Sequence, residues 1–172
     1  LWPTNTWSSG VDAKLGKAFD TRLFRLIKLG KGFFEVAALL AQNRPLMVIV
    51  DANVLLYAVN VDTAHHEAAR HWLDESLVGG SAVGFAWLVL VAFVRIATND
   101  RILPRPLSLA DATDQVDAWL ASPAAVVVDP LPHHARVWAE LLVTTGTGGN
   151  LVNDAHLAAL ALEHRATIVS FD

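Results

Sequence analysis

Short all-apolar runs alternate with longer amphipathic stretches from residue 47 onward, and this rhythm predicts an α/β fold. Residues 47–50 read as a first buried strand that ends at Asp51, with a helical pattern over 54–59. Residues 65–77 have helical spacing, with Ala68, Trp72 and Leu73 on one face, and Gly79-Gly80 stops them. A second strand is expected at 82–85, followed by a mostly buried helix over 87–98. Pro104 and Pro106 mark a loop, after which Ser108 caps a helix over 109–120 with Asp111 at the capping-box position. Val126-Val127-Val128 forms a third strand, residues 132–143 a helix, and Gly146-Thr147-Gly148-Gly149 a flexible connection. A helix over 153–164 and a strand at Ile168-Val169 complete the pattern, just before Asp172. Such alternation implies a mainly parallel sheet between two helical layers, with ligands at the carboxyl ends of the strands.

Charge divides the chain at Met47, its only methionine. Residues 1–46 hold seven basic side chains, including all four lysines, against three acidic ones, a net +4. Residues 47–172 hold six arginines, no lysine and fourteen acids, a net −8. The first 46 residues are therefore read as a basic extension whose origin the residues do not reveal. It is either a loose tail or a helical segment (around 23–41) that docks on the acidic domain. A hydrophobic fraction of 53% and a mean hydropathy of +0.39 demand a large buried core. The longest apolar run, 82–94, stops at Arg95, short of the ~20 residues needed to span a bilayer. The chain has no Cys, which excludes disulfides, thiolate ligands and a cysteine nucleophile. A soluble, cytoplasmic protein is the expectation.

Three carboxylates fall where the topology would gather them. Asp51 follows the first strand, Asp172 follows the last, and Asp154 opens the helix before that last strand. If the first and last strands are neighbours, the three converge at one sheet edge. Carboxylates that close repel one another, and a divalent cation with oxygen ligands relieves this, so Mg2+ or Mn2+ is expected. Such an ion can activate water for phosphodiester hydrolysis. Asn53 and Ser170 are candidates to orient the carboxylates. Arg95, Arg101 and Arg105, half of the domain's basic residues, are the candidate contacts to an RNA backbone, with pairing to Asp100 or Asp111 as the alternative. Trp87, Trp119 and Trp138 are assigned to the core, and the pairs His65-His66 and His133-His134 to surface or helix-terminal roles.

Three segments also resemble a known family. Residues 47–58, MVIVDANVLLYA, look like the opening strand and first metal aspartate of PIN domains of the VapC type, the ribonuclease toxins of bacterial toxin–antitoxin pairs. NDAHLAALA at 153–161 is similar to that family's helix with a late metal aspartate, and TIVSFD at 167–172 to the strand before its final one. The resemblance implies a three-layer α/β/α PIN-like domain over 47–172 and a metal-dependent endoribonuclease, with Asp51, Asp154 and Asp172 catalytic and metal-binding. It also implies a homodimer and a cognate VapB-type antitoxin. Two departures stand out. The family commonly has a further acid on the helix after the second strand, where this chain has Ala92, leaving Glu67 or Asp62 as substitutes. Members also continue past the last aspartate, so the final strand is expected to be missing. A catalytically silent PIN-like module that binds RNA or protein is the competing reading. Phosphatases of the haloacid dehalogenase type and response-regulator receivers also cluster acids at strand ends, but both need a lysine that 47–172 lacks.

Overall fold

Strand β1 (Met47–Val50) is almost pure β-branched side chain and is buried at three of its four positions. That composition suits a strand covered on both faces, as in a parallel sheet. A computed structural model describes residues 47–145, 149 and 151–171. Along it run α1 (Ala52–Val59), α2 (His66–Val78), β2 (Ala82–Ala86), α3 (Trp87–Ala97), α4 (Leu109–Leu120), β3 (Ala125–Val128), α5 (His134–Thr145), α6 (Leu151–His164) and β4 (Thr167–Val169). The elements expected from residue 47 onward are present, with ends shifted by up to two residues. The expectations for residues 1–46, for 146–148 and for Asp172 lie outside the described residues.

The four strands are all parallel, in the order β3-β2-β1-β4. Right-handed crossovers require the helices between β1 and β3 to cover one face and α5–α6 the other. This is the three-layer α/β/α arrangement. The direction of winding reverses between β1 and β4, and a crevice opens there at the strand ends, the usual ligand position in such sheets.

The main core joins Ile49, Leu55, Leu73, Phe85, Leu90, Phe93 and Leu160, each worth about 1.5–3 kcal/mol of apolar burial. Trp119 is 5% exposed; its ring lies 4.8 Å from Phe93 and 6.4 Å from Phe85. Gly84 sits where β1, β2 and β3 press together: a Cβ there would stand 2.7 Å from Val128 Cγ2 and 3.0 Å from Ile49 Cγ1. A second cluster, Leu141 with Ala155, Ala158 and Ala159, fastens α5 to α6.

Trp87 is not in the core: it is 55% exposed. It opens α3, and the spacing Trp87, Val91, Arg95 places all three on one outward stripe. The apolar run 82–94 contains no polar residue to mark its outer face, so sequence could not tell inside from outside there. On α2 the buried positions are His66, Ala69 and Leu73, one step from the expected face. His66 is thus buried at a helix start, its Nδ1 3.0 Å from the Tyr57 carbonyl. Among the described residues, no helix is long and apolar enough to cross a membrane.

Candidate active site

Asp51 leaves β1 in an extended conformation and caps α1, its Oδ1 accepting from the Ala52 N–H at 2.6 Å. The Asp51 N–H donates to the Val169 carbonyl at 3.0 Å, so the ends of β1 and β4 are tied together at this residue. On β4's continuation, the Ser170 hydroxyl donates to Asp51 Oδ2 at 2.8 Å. The direction of that bond follows from the next one: Asn53 Nδ2 donates to Ser170 Oγ at 2.8 Å, which leaves the hydroxyl proton free to point at the carboxylate. Asn53 Oδ1 in turn accepts the Phe171 N–H at 3.2 Å. Residues more than a hundred positions apart therefore lock one carboxylate in orientation.

Asp154 lies in the first turn of α6 and is exposed. A helix that precedes a parallel strand runs back against it, so this first turn is at the carboxyl end of the sheet, the end that carries Asp51. Asp172 lies outside the described residues. Among those described, no three Asp, Glu or His side chains gather closely enough to hold a metal ion. The chemistry of Asp51 and Asp154 still fits Mg2+, which takes one or two carboxylates, keeps several waters and has no use for thiolate or imidazole.

Other expected participants are elsewhere engaged. Arg105 makes a bidentate pair with Asp62, its Nε donating to Oδ2 at 3.1 Å, rather than with Asp100 or Asp111. That hydrogen bond holds the Asp62 carboxyl below its ordinary range and raises Arg105. Glu67 is 92% exposed and pairs loosely with His66 at 3.8 Å. So the two acids considered as substitutes for one at Ala92 are turned to other partners. Arg95 and Arg101 are exposed.

A second polar centre was missed in the sequence. The side chain of Glu163 on α6 is only 1% exposed; its Oε2 accepts from the Leu131 N–H at 3.3 Å and lies 2.9 Å from His134 Nδ1. His134 Nε2 is hydrogen-bonded to His156 Nδ1 at 2.8 Å. Burial, and then repulsion from His134, hold the His156 imidazole below its ordinary value, with Glu163 opposing. Oε1 of Glu163 has no hydrogen-bond partner, although His133 Nε2 stands 3.7 Å away. Both His134 nitrogens are consumed by these bonds, so the cluster fastens α5 to α6. The available signal was the seven-residue spacing of His156 and Glu163, which puts both on one helical face.

The molecule is thus a parallel α/β/α sandwich with an oriented aspartate at its β1–β4 crevice, where such sheets bind their ligands. The PIN domain family model matches residues 48–172. Ribonuclease VapC37 of Mycobacterium tuberculosis (strain ATCC 25618 / H37Rv) is 59% identical over 126 residues, covering 73% of this chain and 88% of that protein. Ribonuclease VapC43 of the same strain is 40% identical over 126 residues, 73% of this chain and 86% of its own. The crystal structure of VapBC2 from Rickettsia felis bound to a DNA fragment from their promoter shares the fold, with a TM-score of 0.51, 17% identity and coverage of 71% of this chain and 85% of that one. The chain belongs to the PIN-domain family, among the VapC proteins.

Proposed function

We propose that the chain is a metal-dependent endoribonuclease that acts as the toxin of a toxin–antitoxin pair. The observation that carries this is the 59% identity to a VapC ribonuclease over 126 residues. The Asp51–Ser170–Asn53 network at the β1–β4 crevice agrees with it. Asp51, Asp154 and Asp172 would hold Mg2+ or Mn2+. A divalent cation held there supplies a nucleophilic water at neutral pH and stabilises charge on the leaving oxygen. Ser170 and Asn53 keep the Asp51 carboxylate fixed, so that little reorganisation is needed when substrate binds. Arg95 and Arg101 are the candidate phosphate contacts, and Arg105 joins them when it exchanges Asp62 for RNA. A VapB-type antitoxin as partner, and a homodimer, follow from the same kinship.

The test is cleavage of a structured RNA pool by the full chain with Mg2+, with Mn2+ and with chelator, beside Asp154→Asn. Metal-dependent cutting that disappears in the variant is the expected result. The second reading, a silent RNA- or protein-binding module, is favoured by α3, which bears Ala92 and no carboxylate along its length. Folded protein that cuts in neither metal, and gains no thermal stability from either, would establish that reading instead.

A further inference from the structure

Three aromatic rings meet beside the Asp51 network. Tyr57 on α1, His65 at the start of α2 and Phe171 after β4 lie with centroids 5.0–5.3 Å apart. Tyr57 and His65 are inclined by 30°, and Phe171 meets Tyr57 edge-on at 72°. The cluster is built into the site by its backbone. Phe171 adjoins Ser170, the residue that bonds Asp51, and its own N–H is held by Asn53. Tyr57 stands one helical turn beyond Asn53 and so shares its face of α1. Ring position and carboxylate orientation thus rest on the same residues.

This cluster differs from the aromatic group in the core. Phe85, Phe93 and Trp119 are buried and serve the core. Of the three rings at the site, Tyr57 and Phe171 are half-buried and His65 is exposed. His65 sits at the N-cap of α2, yet its side chain makes no capping hydrogen bond. An imidazole at a cap position that does not cap, laid against two rings at the lip of a candidate active site, is placed for contact with something flat.

On the reading of the chain as a ribonuclease, we infer that Tyr57, His65 and Phe171 form a stacking shelf for an unpaired nucleobase within a nucleotide or two of the scissile phosphate. Single-stranded RNA is held in this way, on aromatic and histidine rings. The charge of the domain favours the inference. Residues 47–172 carry a net −8, so attraction for a phosphate backbone is poor, and stacking contributes affinity that depends on no charge. The shelf also limits substrate to unpaired bases, since a base within a duplex has its faces covered by the stacked pairs above and below it.

The experiment measures binding of a fluorescein-labelled single-stranded oligoribonucleotide to the full chain in chelator, where no cutting occurs. Copies of the oligonucleotide carry one abasic residue at each position in turn. His65→Ala is expected to weaken binding about fivefold or more, the loss of one stacked base, and His65→Phe to restore it. One abasic position is expected to weaken wild type by a similar factor and to have no further effect on His65→Ala. In the cleavage assay the same variant raises KM with little change in kcat. Equal abasic penalties in wild type and His65→Ala at every position would overturn the shelf, as would failure of His65→Phe to restore affinity. Failure of the shelf is distinguishable from failure of the nuclease reading. Wild type that cuts RNA with an unchanged KM in His65→Ala refutes the shelf alone. Wild type that never cuts but retains the abasic signature refutes the nuclease alone.

Discussion

Asp51 and Glu163 are both carboxylates held by side chains from distant parts of the chain, yet their settings are opposite. Asp51 stands at the mouth of the β1–β4 crevice, half-buried, its carboxylate fixed by a hydroxyl and a backbone amide. Glu163 is sealed between α5 and α6, with imidazoles on one side and an orphaned oxygen on the other. The first arrangement orients an acid at the carboxyl end of the sheet. The second spends its hydrogen bonds on the fold. An acid that is conspicuous by its bonding is therefore not, for that reason, a catalytic one.

The largest stability effect is expected at Glu163. Glu163→Ala removes a buried carboxylate and strands the Leu131 amide and the His134 imidazole. Breaking a buried pair costs about 3–5 kcal/mol, and a loss of about 3 kcal/mol is expected. Denaturant unfolding measures it. Asp51→Asn, an isosteric change at a half-buried site, should alter stability by no more than about 0.5 kcal/mol. Equal losses in the two variants would break the comparison.

Ser170→Ala is next. It takes the hydroxyl from Asp51 and from Asn53 while leaving the strand intact. Removal of a partner that orients a ligand costs about 10–100-fold in metal affinity or activity. The expected result is such a loss in Mn2+-dependent cleavage with near-native unfolding, and a variant that cleaves at the wild-type rate would show that the network is only structural.

The Asp51 region was legible because its signal is local and repeated. An apolar strand ended by an acid can be read from five residues, and Ser170 and Asn53 from their places beside such ends. The Glu163 cluster has no local signal: it joins the start of α5 to the middle and the end of α6, and His133-His134 alone suggests only a helix terminus. Trp87 failed for a third reason, the loss of helical phase within an all-apolar run. Asp154 falls in the first turn of α6, as its place in the pattern predicts, but its exposure and its distance from β1 depend on how α6 is laid across the sheet, which pattern does not encode. The partner of Arg105 was missed likewise, because Asp62 lies 43 positions away in another loop.

A smaller effect is expected at the end of α6. Arg165 has φ of 52°, the left-handed conformation of a helix-terminating residue. The Ala166 N–H bonds to the Ala161 carbonyl at 2.8 Å and the Arg165 N–H to the Leu162 carbonyl at 3.3 Å, the two bonds of a Schellman stop. A glycine at this position avoids about 1–2 kcal/mol of steric cost but gives up about 0.5–1 kcal/mol in chain entropy. Arg165→Gly should therefore stabilise the protein by about 0.5 kcal/mol, read as a higher denaturant midpoint at unchanged slope. A lower midpoint would mean that the arginine side chain itself holds the α6–β4 corner.

The smallest effect belongs to the pair Asp62–Arg105, which contrasts with Glu163 by being open to water. Its hydrogen bonds hold Asp62 below the ordinary carboxylate value of 3.8. A carboxylate whose folded value is depressed contributes stability at pH above its unfolded value and loses it as pH falls through the folded one. The contribution should therefore be constant at neutral pH, begin to fall near pH 4 and be gone once Asp62 is protonated. Comparison of Asp62→Asn with wild type by thermal unfolding across that range isolates it. The difference should be small at pH 7, shrink further in high salt, and vanish in acid. A difference that grew in acid would mean that the pair opposes folding, with Arg105 constrained in a geometry that serves RNA rather than the loop it spans.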